Sequence, residues 1–173
     1  MCKITSDKTP TNSSVKSLTI LSNTESIPDL TDVINKFESL EIIRFSDVNF
    51  NVVEKGQLTA FERIKELDFS NNYIVEVEAD AFGGEVRNLS LRHNVLKKLH
   101  VDAFINLPNL EILDLSTNKI ESLPADLFRN NKKLREVNLF RNYLTESHGD
   151  LFKGLDNLEI IRLDNNRLKN IPQ

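Results

Sequence analysis

Residues Leu110 to Phe128 read LEILDLSTNKIESLPADLF, and their spacing decides the fold. Leu110, Leu113, Leu115, Asn118, Ile120 and Leu123 stand at positions 1, 4, 6, 9, 11 and 14 of a frame that reaches Phe128 at position 19. The frame recurs at Val86, Leu89, Leu91, Asn94, Leu96, Leu99 and Phe104, and again at Leu134, Val137, Leu139, Asn142, Leu144 and Phe152. Frame starts at Val15, Leu40, Ile64, Val86, Leu110, Leu134 and Leu158 are separated by 25, 24, 22, 24, 24 and 24 residues. Sustained self-similarity of this kind marks a stack of like units, none of which can bury its own apolar face alone.

The pattern resembles the leucine-rich repeat, in its roughly 24-residue form with a phenylalanine in the convex loop. The resemblance covers residues 15–173, about seven repeats. It implies an α/β fold: a right-handed solenoid shaped like a horseshoe, with a parallel β-sheet on the concave face and mostly irregular or short helical convex loops. It also implies that the asparagine at position 9 bonds backbone groups of its turn. The phenylalanine-bearing unit is similar to that of Toll-like receptor ectodomains and insect leucine-rich immune proteins.

Several units depart from the frame. In the first, Leu30, Val33, Ile34 and Phe37 follow helical spacing, so a short convex helix is expected there, capped by Asp29 or Thr31. In the second, Val48 replaces the asparagine, which predicts a local distortion, and Leu58 replaces the phenylalanine, with Phe61 nearby. In the third, Gly83-Gly84 fills a shortened return, where a tight turn calls for glycine. Glu25 and Ser147 are further departures, and the loop after Ser147 is expected to be looser. Residues 1–14 read as a polar lead-in or a partial N-terminal cap, and no C-terminal cap follows the last repeat, as in a fragment of a longer chain.

Composition narrows the function classes. The net charge of −4 speaks against a phosphate-binding surface, and so against nucleic acid as a partner. No apolar run reaches the ~20 residues of a bilayer span. The single cysteine, Cys2, cannot form an internal disulfide or a cysteine-rich metal site. The sequence offers no nucleophile beside a base and no convergent ligand set, so no enzyme, metal or cofactor is expected. His93, with Asp68 and Asp114 on flanking strands, reads as a solvated polar cluster.

Side chains of a strand alternate between faces, so positions 4 and 6 should form the core and positions 3, 5 and 7 the outer face of the sheet. Phe140 is then a large aromatic on a surface, with Arg141 beside it, Arg162 on the next strand and Tyr143 in the adjoining turn. Aromatics and arginine are enriched at binding hot spots. The expected docking patch is therefore Phe140, Arg141, Tyr143, Asn138 and Arg162, extended by Asp114 and Tyr73. Asn12 and Asn88 head N-x-S sequons and are candidate glycosylation sites. A sugar on Asn88 would obstruct the concave face.

Together with the resemblance, these features imply a non-catalytic protein–protein recognition module, extracellular or at the cell surface, acting through its concave face, with innate immunity as one setting. The alternative is a cytoplasmic scaffold or inhibitor of the same fold. A homodimer through the uncapped end is also open, since Leu158, Ile161, Leu163 and Leu168 would be partly exposed there.

Overall fold

A computed structural model describes residues 3–5, 14–21, 31–47, 51–59, 61–146 and 150–169. The readings made at Cys2, Asn12, Glu25, Asp29, Leu30, Val48 and Ser147, and the chain beyond Lys169, lie outside the described residues. In chain order the elements are β1 (Lys3–Thr5), β2 (Ser17–Leu21), α1 (Thr31–Lys36), β3 (Ile42–Ser46), β4 (Val52–Val53), β5 (Glu66–Asp68), β6 (Glu76–Val77), β7 (Asn88–Ser90), β8 (Lys98–Leu99), β9 (Ile112–Asp114), β10 (Glu136–Asn138) and β11 (Ile160–Arg162).

The main sheet has the order β1-β2-β3-β5-β7-β9-β10-β11. Seven of its strands run parallel, one per repeat, and β1 pairs antiparallel with β2 at the edge. At ~4.8 Å per strand the seven parallel strands span roughly 30 Å. The register is one frame position against the same position of the next repeat, as in Leu113↔Val137↔Ile161. Burial follows the expected alternation: Leu67, Leu89, Leu113 and Val137 are fully buried, while their strand neighbours face outward. In β11 Ile161 keeps the core position but is 42% exposed, because no described strand lies on its far side.

Six of the parallel strands of this sheet end the same way. Asp47, Asn71, His93, Thr117, Arg141 and Asn165, all at position 8, adopt φ between 52° and 59°. This left-handed residue turns the chain off the sheet. Where position 5 is Asp or Asn, its side chain braces the approach to that turn. Asp68 Oδ1 accepts from the Ser70 amide at 2.8 Å, Asp114 Oδ1 from Ser116 at 2.8 Å, and Asn138 Oδ1 from Phe140 at 3.1 Å.

Behind the turn, the position-9 asparagines form a buried ladder that joins successive repeats. Asn118 Nδ2 donates to the carbonyls of Leu115 and Ser116 in its own repeat and of Leu91 in the preceding one, at 3.0, 3.3 and 2.9 Å. Its Oδ1 accepts from the Leu96 amide at 3.0 Å. Asn94, Asn142 and Asn166 serve Ile74, Ile120 and Leu144 in the same manner. A polar side chain thus satisfies backbone groups that the tight turn would otherwise bury unpaired.

The convex side holds a second, three-stranded parallel sheet, β4-β6-β8. Beyond it the return segments are turns, apart from α1, which buries Ile34 as the helical spacing predicted. Phe82, Phe104, Phe128 and Phe152 form a spine with ring centroids 6.1 to 6.4 Å apart. Leu58 bridges to Phe82 and so occupies the phenylalanine position of its repeat. Gly84 makes the shortened return possible: φ is 86°, and a Cβ there would lie 2.5 Å from the Phe61 carbonyl oxygen. At the position held by Leu107 and Leu155 in neighbouring repeats stands Asn131. It is fully buried and donates to the Phe104 and Leu107 carbonyls at 2.9 Å, while its Oδ1 has no partner.

Candidate functional site

The last three strands place nine residues in three rows, eight of them at least partly exposed and one, Ser116, buried. The first is Ile112, Glu136 and Ile160, the second Asp114, Asn138 and Arg162, and the third Ser116, Phe140 and Asp164. Ile112 and Ile160 are each 40% exposed, which puts two exposed apolar side chains on the sheet face beside the half-buried Phe140. Arg162 Nε lies 3.5 Å from Glu136 Oε1, between them. Phe140 is half-buried, and the Arg141 guanidinium lies 5.7 Å from its ring centroid. Asn138 and Asp114 each spend one side-chain oxygen on the turn, so part of their role is to hold the strand end.

The residues read from the sequence as one patch therefore fall on two adjoining surfaces. Asp114, Asn138, Phe140 and Arg162 belong to the sheet face. Tyr73, Arg141 and Tyr143 line a groove along the edge where the strands end, a cavity of about 650 Å³. Tyr73 is 73% exposed, while Tyr143 is 38% exposed and covered by Arg167, whose guanidinium lies 4.1 Å from its ring centroid. His93 belongs to the groove as well. Its Nδ1 is 2.8 Å from Asn71 Oδ1, whereas Asp68 and Asp114 are engaged with backbone amides. Asn88 sits half-buried in β7, paired in register with Ile112, so its sequon lies on the sheet face itself.

Ile112 and Ile160 stand at position 3 of the frame, which the alternation of the strand turns outward. The groove was harder to see. Its rim comes from position 10, where Tyr73, Val95, Lys119 and Tyr143 share only their place in the frame.

A stacked solenoid with an open sheet face defines a repeat scaffold. Residues 84–144 match the family model described as leucine rich repeat. The same frame runs through its neighbours on both sides, so the likeness to leucine-rich repeat proteins extends along the described chain. It is 31% identical over 96 residues to leucine-rich repeat-containing G-protein coupled receptor 5 of Rattus norvegicus, covering 54% of this chain and 10% of the receptor. It is 31% identical over 103 residues to a probable glycoprotein hormone G-protein coupled receptor of Anthopleura elegantissima, covering 59% of this chain and 11% of that one. Among solved structures, a chain from the glycosylated form of the Drosophila Toll–Spatzle complex superposes with a TM-score of 0.78. The two are 28% identical, over 91% of this chain and 21% of that one. The chain thus spans about a tenth of the length of either receptor and about a fifth of that solved chain.

Proposed function

We propose that this chain is a non-catalytic recognition module, working outside the cell or at its surface, that docks a partner protein on the concave sheet across β9, β10 and β11. The observation that carries this reading is the exposed pair Ile112 and Ile160, flanked by Phe140 and Arg162 on the same three strands. Apolar side chains held on a rigid sheet cost little further ordering on binding, and arginine at their edge supplies direction. The extracellular setting draws support from two relatives named as receptors and from a structural neighbour solved in a glycosylated form. That neighbour's description as a hub of development and innate immunity lends the immune setting its support. A glycan on Asn88 would crowd Ile112, so this face works with Asn88 unmodified or through β10 and β11 alone.

The test is capture from native extracellular fluid by the wild-type chain, Phe140→Asp and Ile160→Glu, with circular dichroism to establish that all three fold alike. Each variant should weaken capture of the same protein by about tenfold or more, the scale of a lost hot spot. Equal capture by all three chains would remove the sheet face from consideration. Self-association through Ile160 and Ile161 would show instead as a concentration-dependent dimer in light scattering, abolished by Ile160→Glu.

A further inference from the structure

Among the described clefts, the edge groove is the one lined by cations and by no carboxylate. Lys119 and Arg141 line it, with His93, Thr117 and amide side chains, and no aspartate or glutamate does. Neither Lys119 nor Arg141 has an ion pair among the described residues. Each of the other described clefts carries carboxylates: Glu111 and Glu159 beside Lys133 and Arg135 in one, Glu41 and Glu85 beside Lys65 and Arg87 in another, Asp126 and Asp150 beside Arg129, Lys132 and Lys153 in a third, and Asp68 and Asp114 in the last. On a chain of net charge −4, the groove is thus a local reversal of sign. It also carries apolar and aromatic surface at Tyr73, Val95 and Tyr143.

We infer that this groove is a track for an extended acidic polypeptide segment of a partner, with carboxylates meeting Lys119 and Arg141 and apolar side chains lying on Tyr73 and Val95. The groove runs from Asn71 to Asn165 across five repeats, about 19 Å at ~4.8 Å per repeat. That length takes roughly six residues of extended chain at ~3.3 Å each. Charge density favours a peptide over a polyanion. A nucleic acid presents a charge every ~1.7 Å and needs clustered cations, whereas two cations spread among tyrosines suit a segment with two or three carboxylates. The floor is preformed: its left-handed residues Asn71, His93, Thr117, Arg141 and Asn165 are fixed by the turn, and His93 is tied to Asn71. The groove adjoins the sheet patch where Arg141 meets the Phe140 ring, but Lys119, Tyr73 and Val95 lie outside that patch.

The test is fluorescence anisotropy with a labelled peptide of about eight residues alternating glutamate with leucine, beside the same peptide carrying lysine and a sulfated oligosaccharide of similar length. The glutamate peptide should bind at low salt, and Lys119→Glu or Arg141→Glu should each weaken it by about tenfold. Tyr73→Ala should weaken it less, and Ile160→Glu, on the sheet face, should leave it unchanged. Circular dichroism checks that the variants fold, and Lys119→Glu keeps the test open if the left-handed backbone at Arg141 tolerates exchange poorly. No binding of the glutamate peptide, equal binding by wild type and both charge variants, or tighter binding of the sulfated oligosaccharide would each overturn the inference.

Discussion

At the scale of single residues, the turn after each strand concentrates conformational cost at one point. Asp47, Asn71 and Asn165 meet it with side chains that tolerate the left-handed region. Thr117, with φ of 55°, does not, since its branched Cβ crowds the backbone there. Such a residue costs about 1–2 kcal/mol relative to right-handed backbone. Thr117→Asn should therefore raise stability by about 1 kcal/mol, read as a higher urea midpoint at unchanged slope. A lower midpoint would mean that the threonine side chain holds the groove floor together more than it strains it. Little of this was legible in the sequence. Asp, Asn and His favour a positive φ more than most residues, but Thr117 and Arg141 do not, and only their common place in the frame, once a backbone is in hand, shows it.

At the scale of elements, the asparagine ladder was the most legible feature and the convex sheet the least. A buried asparagine recurring with each repeat has few roles other than satisfying backbone groups, and Asn72, Asn94, Asn118, Asn142 and Asn166 all perform it. Strands β4, β6 and β8 are two residues long, too short for alternation to declare them. Their pairing comes from stacking of the repeats, not from local pattern. Asn118→Ala should cost about 2–3 kcal/mol, since the buried Leu96 amide is left without an acceptor and the Leu91 and Leu115 carbonyls each lose a donor. Hydrogen exchange locates the damage: the Leu96 amide should exchange faster while amides of distant repeats, such as Phe45, hold. Unchanged protection at Leu96 would show that another group, or water, takes over from the asparagine.

At the scale of the whole molecule, charge runs along the solenoid in an order that the repeat frame imposes. Position 2 reads Lys16, Glu41, Lys65, Arg87, Glu111, Arg135 and Glu159. Ion pairs join Lys65 to Glu41, Arg87 to Glu111, and Arg135 to Glu159, each across one repeat boundary. The hydrogen bond from the Lys65 ammonium, aided by its charge, holds the Glu41 carboxyl below its ordinary value of 4.5. On the convex side the Arg129 guanidinium acts likewise on Asp102, whose ordinary value is 3.8. A carboxyl with a lowered folded value stabilises above its unfolded value, and that contribution is lost as pH falls through the folded one. Stability should therefore be level through neutrality and decline as pH drops below 4.5, with Glu41→Gln flattening the decline. Because these pairs are exposed, high salt should flatten it as well. Urea midpoints across that range, at low and high salt, measure both effects. A midpoint that falls equally in the variant would place the acid sensitivity elsewhere.

The candidate sites were legible only in part for a related reason. Columns read from a sequence tell which residues share a face, but not where the face bends into an edge. Phe140 and Arg141 are neighbours in the chain, yet the left-handed turn at Arg141 sends one to the sheet and the other to the groove.

The asparagine ladder also gives the solenoid a direction. The side-chain oxygen of each asparagine reaches back to an amide of the turn before it, Asn94 to Ile74, Asn118 to Leu96, Asn142 to Ile120 and Asn166 to Leu144. In each of these four coils one turn amide is thus satisfied by the successor, while other amides, such as that of Tyr143 on the Ile120 carbonyl, bond back to the predecessor. During synthesis, which proceeds in the same sense, the newest coil on the growing chain is always the one with an open amide. It is closed only when the next roughly two dozen residues arrive, so assembly advances like a ratchet, one tooth behind the ribosome.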